Sequence, residues 1–320
     1  MEGITLVIPV KNEEKSLGPL IASIRAQTLA PDEVIFVDGG STDRTKEIIS
    51  AGTGRGAARI RLIETAGAYP GAARNMGVDE SVTDRIAFTD GGITLDACWL
   101  EELDRAMRAG RGGVEAVYGR YEPVTDSFLK RCGMIAFVPA REKKGGVLFR
   151  TDFIASSLFR KKTIQSAGGF PGFRAAEDRI FMENVRGSGA RIAYTDRAVV
   201  YWEIPGTAGG VFRRSREFSM HDIIAGRAKD WHVSVLSVYA ATLILAAGGV
   251  CVSSGFFRLA LLLWAVRLAR IFYRKRADLT PAMLLNPVYA AGIIFLILVT
   301  DMGLICGTFN YIFRHYVKTE

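Results

Sequence analysis

The sequence predicts an α/β fold with a mostly parallel central sheet, followed by C-terminal transmembrane helices. Three observations carry that expectation. Short apolar runs alternate with helix-like stretches over residues 1–120, polar and glycine-rich segments follow those runs directly, and charge becomes sparse after His232. Strands alternating with helices imply a parallel sheet covered on both faces, with ligands bound beyond the carboxyl ends of the strands.

The first strand is Ile4-Thr5-Leu6-Val7-Ile8-Pro9, and a helix is expected from near Glu13. Val34-Ile35-Phe36-Val37 forms the second strand, followed by a helix from about Asp43 to Ser50. Ile60-Arg61-Leu62-Ile63 is the third, ahead of a helix opening near Gly71, and Ile86-Ala87-Phe88-Thr89 is the fourth. Ser157-Leu158-Phe159-Arg160 reads as a further strand and Gly168-Gly169-Phe170-Pro171-Gly172 as a turn cluster. Asp178 to Val185 reads as a helix closed by Gly187.

The tail differs in kind. Hydrophobic residues make up 49% of the chain and mean hydropathy is +0.18, which directs attention to membrane segments. Val233 to Phe257 carries no charge, about the length that crosses a bilayer. Leu259 to Val266 continues the apolar run after Arg258. A basic cluster of Arg267, Arg270, Arg274, Lys275 and Arg276 follows, then the uncharged Leu279 to Thr300. Buried core helices of a soluble protein seldom run so long without charge. The expected organisation is a domain over 1–232 and an anchor over 233–320, with spans at about 233–254, 256–273 and 282–304. The first two would form a hairpin turning at Ser253-Ser254-Gly255, which places the basic cluster in the cytoplasm as the positive-inside rule asks. The third would carry Glu320 to the opposite side.

Net charge is +8, and +5 of it falls between Val233 and the end, where eight Lys/Arg face three Asp/Glu. Basic residues beside apolar spans point to anionic lipid and away from nucleic acid as a partner. The four cysteines, Cys98, Cys132, Cys251 and Cys306, have neither metal-ligand nor redox spacing, in keeping with a reducing compartment. The chain enters its first strand without a cationic, apolar leader, so the N-terminal domain is expected in the cytoplasm.

Ile8-Pro9-Val10-Lys11-Asn12-Glu13-Glu14 followed by Val37-Asp38-Gly39-Gly40-Ser41-Thr42-Asp43 suits a nucleotide. Glycines after a strand let the backbone approach a ligand closely, and an Asp at a strand end can accept hydrogen bonds from a base or ribose. By itself the second segment reads equally well as a turn in which Ser41 or Thr42 caps a helix. Together, and in this order, the two segments resemble the nucleotide-binding half of family 2 glycosyltransferases, which have the GT-A fold. Tyr69-Pro70-Gly71-Ala72-Ala73-Arg74-Asn75-Met76-Gly77 resembles that family's Gly-x-x-x-Arg-Asn segment, and an Arg at a helix N-terminus attracts phosphate. Phe88-Thr89-Asp90-Gly91-Gly92 stands where the family has an Asp-x-Asp or Asp-Asp motif for a divalent metal. Only Asp90 remains of it. Ala176-Glu177-Asp178 stands where the family places the Asp that acts as general base. Read alone, Asp178 is a helix cap.

The resemblance covers about residues 4–222. It implies a nucleotide-sugar site built on Pro9, Glu13, Asp38, Gly40, Arg74 and Asn75, with Arg213 and Arg214 over the diphosphate. It implies a divalent metal, Mg or Mn, on Asp90 with His221 as a further ligand, and Asp178 as the catalytic base. The implied activity is inverting transfer of a single sugar to a lipid or glycan acceptor at the cytoplasmic membrane face. The Gln-x-x-Arg-Trp motif of processive members is absent. One alternative is a polyprenyl-phosphate acceptor met by Arg141, Lys143 and Lys144. Another is a non-catalytic, membrane-tethered nucleotide-sugar sensor, motivated by the reduced metal motif.

Overall fold

The computed structural model describes residues 3–52, 58–110, 113–144, 147–150, 153–229 and 232–314. The chain divides into two compact units, Met1–Val124 with Glu142–Glu203, and Thr125–Arg141 with Ile204–Glu320.

The first unit opens with β1 (Ile4–Val10), α1 (Leu17–Arg25), β2 (Glu33–Asp38), α2 (Thr45–Gly52), β3 (Arg59–Glu64) and α3 (Pro70–Glu80). It continues with β4 (Arg85–Phe88), β5 (Ile93–Leu95), α4 (Trp99–Ala109) and β6 (Ala116–Pro123). The chain then enters the second unit for α5 (Phe128–Ala136) and returns for β7 (Glu142–Lys144), β8 (Val147–Phe149) and β9 (Ser157–Arg160). The first unit ends with α6 (Lys161–Ser166), α7 (Glu177–Gly187) and β10 (Ile192–Trp202).

Eight strands form one sheet in the order β3-β2-β1-β4-β9-β6-β10-β5, and β7-β8 is a separate hairpin. The β3-β2-β1-β4 half is parallel throughout, as the strand–helix alternation requires. Every residue of β2 is buried, whereas the edge strand β3, with Arg59, Arg61 and Glu64, is only partly so. Strand β9 is antiparallel to both β4 and β6, so the sheet is mixed beyond β4. Pro9 faces the β4 side of β1 beyond the last register pair, Val7 with Phe88, so its missing N–H costs no ladder bond there. Helix α3 packs on β1 and β2 through Gly77, whose α-carbon faces Val7. An aromatic core joins Phe88 of β4, Phe159 of β9 and Tyr118 of β6 to Phe170 and to Phe181 of α7.

The second unit consists of α5, α8 (Ala208–Ile224), α9 (His232–Cys251), α10 (Gly255–Arg274), α11 (Pro281–Leu285) and α12 (Pro287–Ile312). Two of these, α9 and α12, are long and apolar enough to cross a membrane. Helix α10, expected as the second span, carries Arg258, Arg267 and Arg270 and is uncharged between Leu259 and Val266. It pairs with α9 after a turn over 252–254, with Phe256 and Phe257 against Gly248 and Gly249.

The basic residues of this unit are partly consumed by it. Arg267 forms a bidentate ion pair with Asp301, at 2.7 and 2.9 Å, and stacks on Trp264. Lys275 is buried and donates to the Met134 carbonyl, and Arg141 pairs with the buried Asp278 at 3.1 Å. Arg141 is therefore engaged within the protein and is not held out for a lipid phosphate. The side chains of Lys143 and Lys144 lie outside the described residues, as do His315, Thr319 and Glu320. His232, at the start of α9, is buried, with Nε2 2.9 Å from Ser219 Oγ.

Candidate active site

The loops after β1 and β2 are stapled together. Asn12 adopts a left-handed conformation with φ 57°, which its short polar side chain tolerates better than most. Its N–H donates to Ser41 Oγ and its Oδ1 accepts from the Thr42 N–H, each at 2.8 Å. The Glu13 N–H donates to Thr45 Oγ1 at 2.7 Å, and the Glu14 N–H to Asp43 at 3.1 Å. These bonds fix the loop; residues 14–16 form a turn, and α1 begins at Leu17 rather than near Glu13.

Asp38 ends β2 fully buried. Its carboxylate accepts from the N–H groups of Gly40 and Ser41, at 3.2 and 3.0 Å, and from the Ser41 hydroxyl. The carboxylate nominated from the sequence for a base or ribose is thus occupied by its own loop. Gly40, at φ 83°, supplies the left-handed turn that closes this ring.

Arg74 joins the remaining parts. It is buried on α3, and Nη2 reaches Asp90 Oδ1 at 2.7 Å while Nη1 reaches Glu177 Oε1 at 3.0 Å. Its guanidinium lies 5.4 Å from the Phe170 ring centroid. One side chain therefore ties the segment after β4 to the first turn of α7. Burial works against its charge, but Asp90, Glu177 and Asp178 together outweigh that penalty and hold its pKa above the usual value. The pKa of Glu177 is raised as well, which for a carboxyl favours the neutral form. Burial pushes its carboxyl up to about 7, partly offset by Arg74 and reinforced by Asp178. One cation shared by Asp90 and Glu177, with Asp178 adjacent, leaves the cluster net negative.

Asp178 is partly exposed beside this cluster, with Oδ1 accepting from the Arg179 N–H at 2.7 Å. Ala176 precedes it in a left-handed conformation, φ 64°, that orients the start of α7. Asn75 points elsewhere. Its amide nitrogen donates to the Phe170 carbonyl at 2.8 Å and its Oδ1 accepts from the Phe170 N–H at 2.9 Å, so it fixes the 168–172 turn. Glu13 lies against Gly91, and burial raises its pKa, with Asp90 and Asp43 adding to the rise against a hydrogen bond from Ser16.

Of the residues expected over the diphosphate, Arg213 is exposed on α8 and Arg214 lies 5.0 Å from the Phe218 ring centroid. His221 is on the same helix. All three belong to the second unit. Among the described residues, no three His, Cys, Asp or Glu side chains gather as a preformed metal site.

A profile of glycosyl transferase family 2 matches residues 5–181, more than half of the chain. The chain belongs to glycosyl transferase family 2. The matched segment runs from β1 into α7 and takes in the Asp38 loop, Arg74, Asp90 and Asp178. The 4,4'-diaponeurosporenoate glycosyltransferase of Staphylococcus aureus is 35% identical over 97 residues, which span 29% of this chain and 25% of that relative. The fold is GT-A-like. The mannosyltransferase PcManGT from Pyrobaculum calidifontis, solved with GDP-Man and Mn2+, superposes with a TM-score of 0.64 at 18% identity, over 98% of this chain and 88% of that one. S. aureus TarS in complex with UDP-GlcNAc gives 0.50 at 14% identity, over 97% and 92%.

Family membership gives the Arg74 arrangement its context. Glu177, for which the sequence reading had no role, is the second anion of Arg74, and its place beside Asp178 was the available signal.

Proposed function

We propose that the chain transfers a single sugar, with inversion, from a nucleotide-sugar donor to a lipid or glycan acceptor at the cytoplasmic face of a membrane. The observation that carries this reading is Arg74 clamped between Asp90 and Glu177, because it draws the strand-end carboxylate and the Asp178 turn to one place. The acceptor hydroxyl attacks the anomeric carbon opposite the nucleoside diphosphate, and its proton passes to Asp178. Oδ1 of Asp178 is held by the Arg179 N–H, which leaves Oδ2 to receive that proton. Arg213 and Arg214 serve the negative leaving group. Pro9, Glu13, Asp38 and Gly40 shape the nucleoside end, Asp38 by holding its loop closed.

Asp90 is about one-third exposed and engages Arg74 through Oδ1 alone among the described residues, so Oδ2 remains for another ligand. That donor set fits a hard divalent cation, which takes one or two carboxylates and completes its shell with phosphate oxygens and water. Asp90 would hold it, with Glu13 nearby. When bound, the cation neutralises charge on the departing diphosphate. The aspartate, rather than an anionic acceptor, governs the proton, and the engagement of Arg141 by Asp278 removes one cation from the phosphate-acceptor alternative.

Asp178→Asn tests the assignment. Sugar transfer is expected to fall at least about 100-fold, the usual worth of a general base, with donor affinity changed no more than a few-fold. Full turnover in that variant would remove Asp178 as base. A screen of nucleotide-sugar donors against membrane lipid extracts, read by mass spectrometry, identifies the substrates.

A further inference from the structure

We infer that α12 lies in the plane of the membrane interface, both ends on one side, and that the α9–α10 hairpin alone enters the bilayer. The inference rests on the membrane association proposed above and replaces the third crossing expected from the sequence.

Helix α12 is apolar nearly all round as a sequence, but it has two distinct faces in the fold. Ile293, Leu296, Gly303, Leu304 and Gly307 are buried. Val288, Phe295, Leu298, Met302 and Phe309 are exposed. At the helical repeat these sets fall on opposite sides. The buried side is covered along its length by α5 and α8. Over the N-terminal half, Phe128 and Cys132 of α5 pack on Gly292, and Arg131 Nε donates to Tyr289 Oη at 2.9 Å. Over the C-terminal half, Gly303 and Gly307 admit the backbone of α8, where Ser215 and Ser219 donate to the Thr300 and Leu304 carbonyls at 2.6 and 2.9 Å.

Those partners decide the orientation. The other side of α8 exposes Arg213, Arg216 and Glu217, and α5 carries Lys130 with its partner Asp126. Were α12 upright in a bilayer, α5 and α8 would be drawn in alongside it, and their charges would face hydrocarbon. No stretch of α12 long enough to cross is left clear of them. Laid flat, α12 keeps the exposed charges of α8 and the Lys130–Asp126 pair on the water side and turns its exposed apolar stripe to the acyl chains, which is the pattern of a monotopic helix.

The hairpin has the opposite character. No apolar residue of α9 is buried, and its 20 residues match a hydrocarbon core. Arg258 stands exposed near its tip, while Arg270, Arg274 and Arg276 are exposed at its other end, where they meet anionic headgroups. The Arg267–Asp301 pair, with Tyr239 Oη donating to Asp301 at 3.1 Å, joins α9 and α10 to the middle of α12. Tyr239 is two turns into α9 and Arg267 two turns from the end of α10, so with α12 flat this pair lies near the hairpin's entry rather than at the bilayer centre.

The test uses the full chain with its four native cysteines replaced and single cysteines at Leu285, Asn310 and, as a reference in the first unit, Arg108. An impermeant maleimide is applied to intact spheroplasts and to inverted vesicles from the same cells. All three positions are expected to label in inverted vesicles and none in spheroplasts. Bimane at Leu298, Met302 and Phe309 should be quenched best by lipids brominated near the headgroup, equally at all three sites. Labelling of Leu285 and Asn310 from opposite faces overturns the inference, as does strongest quenching of Leu298 by bromine at the acyl terminus. Absence of quenching by any brominated lipid overturns it too, by showing that protein covers the stripe. A chain that fails to float with vesicles defeats the membrane association itself, a separate result from a floating chain with opposed labels.

Discussion

Glu177→Gln isolates the charge balance around Arg74. Glutamine keeps the size of the side chain and an oxygen for the Arg74 hydrogen bond, but carries no titrating proton. Glu177 is buried, and its carboxyl lies at about 7 against an ordinary 4.5. That difference corresponds to about 3 kcal/mol between the neutral and charged forms, at about 1.4 kcal/mol per tenfold. The folded protein holds this proton more tightly than the unfolded chain does. Its contribution to stability is therefore fully present below about pH 4.5 and is lost as pH rises through about 7. The variant has no such loss. Its stability relative to wild type should rise by about 3 kcal/mol between pH 4 and pH 8. Thermal unfolding of both proteins in one detergent, followed by tryptophan fluorescence across that range, measures the difference. A protonated-carboxyl infrared band that disappears near neutral pH in wild type and is missing from the variant assigns the group. A stability difference flat with pH would refute the reasoning and make Glu177–Arg74 a plain ion pair, ionised throughout.

Further outcomes follow from other contacts. A Cβ at position 92 meets open space, so Gly92→Asp, which restores the second carboxylate of the family's metal motif, should lower the Mn2+ concentration needed for half-maximal donor binding. Asp90→Ala should raise that concentration, and donor binding indifferent to both changes and to chelator would remove the metal role of Asp90. Gly77→Ala forces a methyl group into Val7 under α3 and should cost about 1–3 kcal/mol of stability, read as a lower unfolding midpoint. Arg267→Ala leaves Asp301 buried and unpaired and should cost about 3–5 kcal/mol, measured in nanodiscs. Arg267→Ala with Asp301→Ala should recover much of that loss.

The Arg74 cluster and the tail mark the boundary between what is legible along the chain and what is not. The parallel strands and the special residues at their ends are local features. An apolar run followed by Asp38-Gly39-Gly40 or Asp90-Gly91-Gly92 announces a strand end and a turn wherever it occurs, and the family profile runs over those same segments. Strand β9, antiparallel between β4 and β6, leaves no such local mark, because pairing direction depends on where the chain returns.

By itself the sequence determined the alternation of strand and helix, the positions of the glycine-rich strand ends and the apolar character of the tail, since each is written in neighbouring residues. Tertiary structure alone decided that Arg74 lies between Asp90 and Glu177, 103 positions away, and that Asn75 clamps Phe170, 95 positions away. It also decided which side of α12 is covered, because a helix apolar on every side carries no record of its partners until α5 and α8 pack against it.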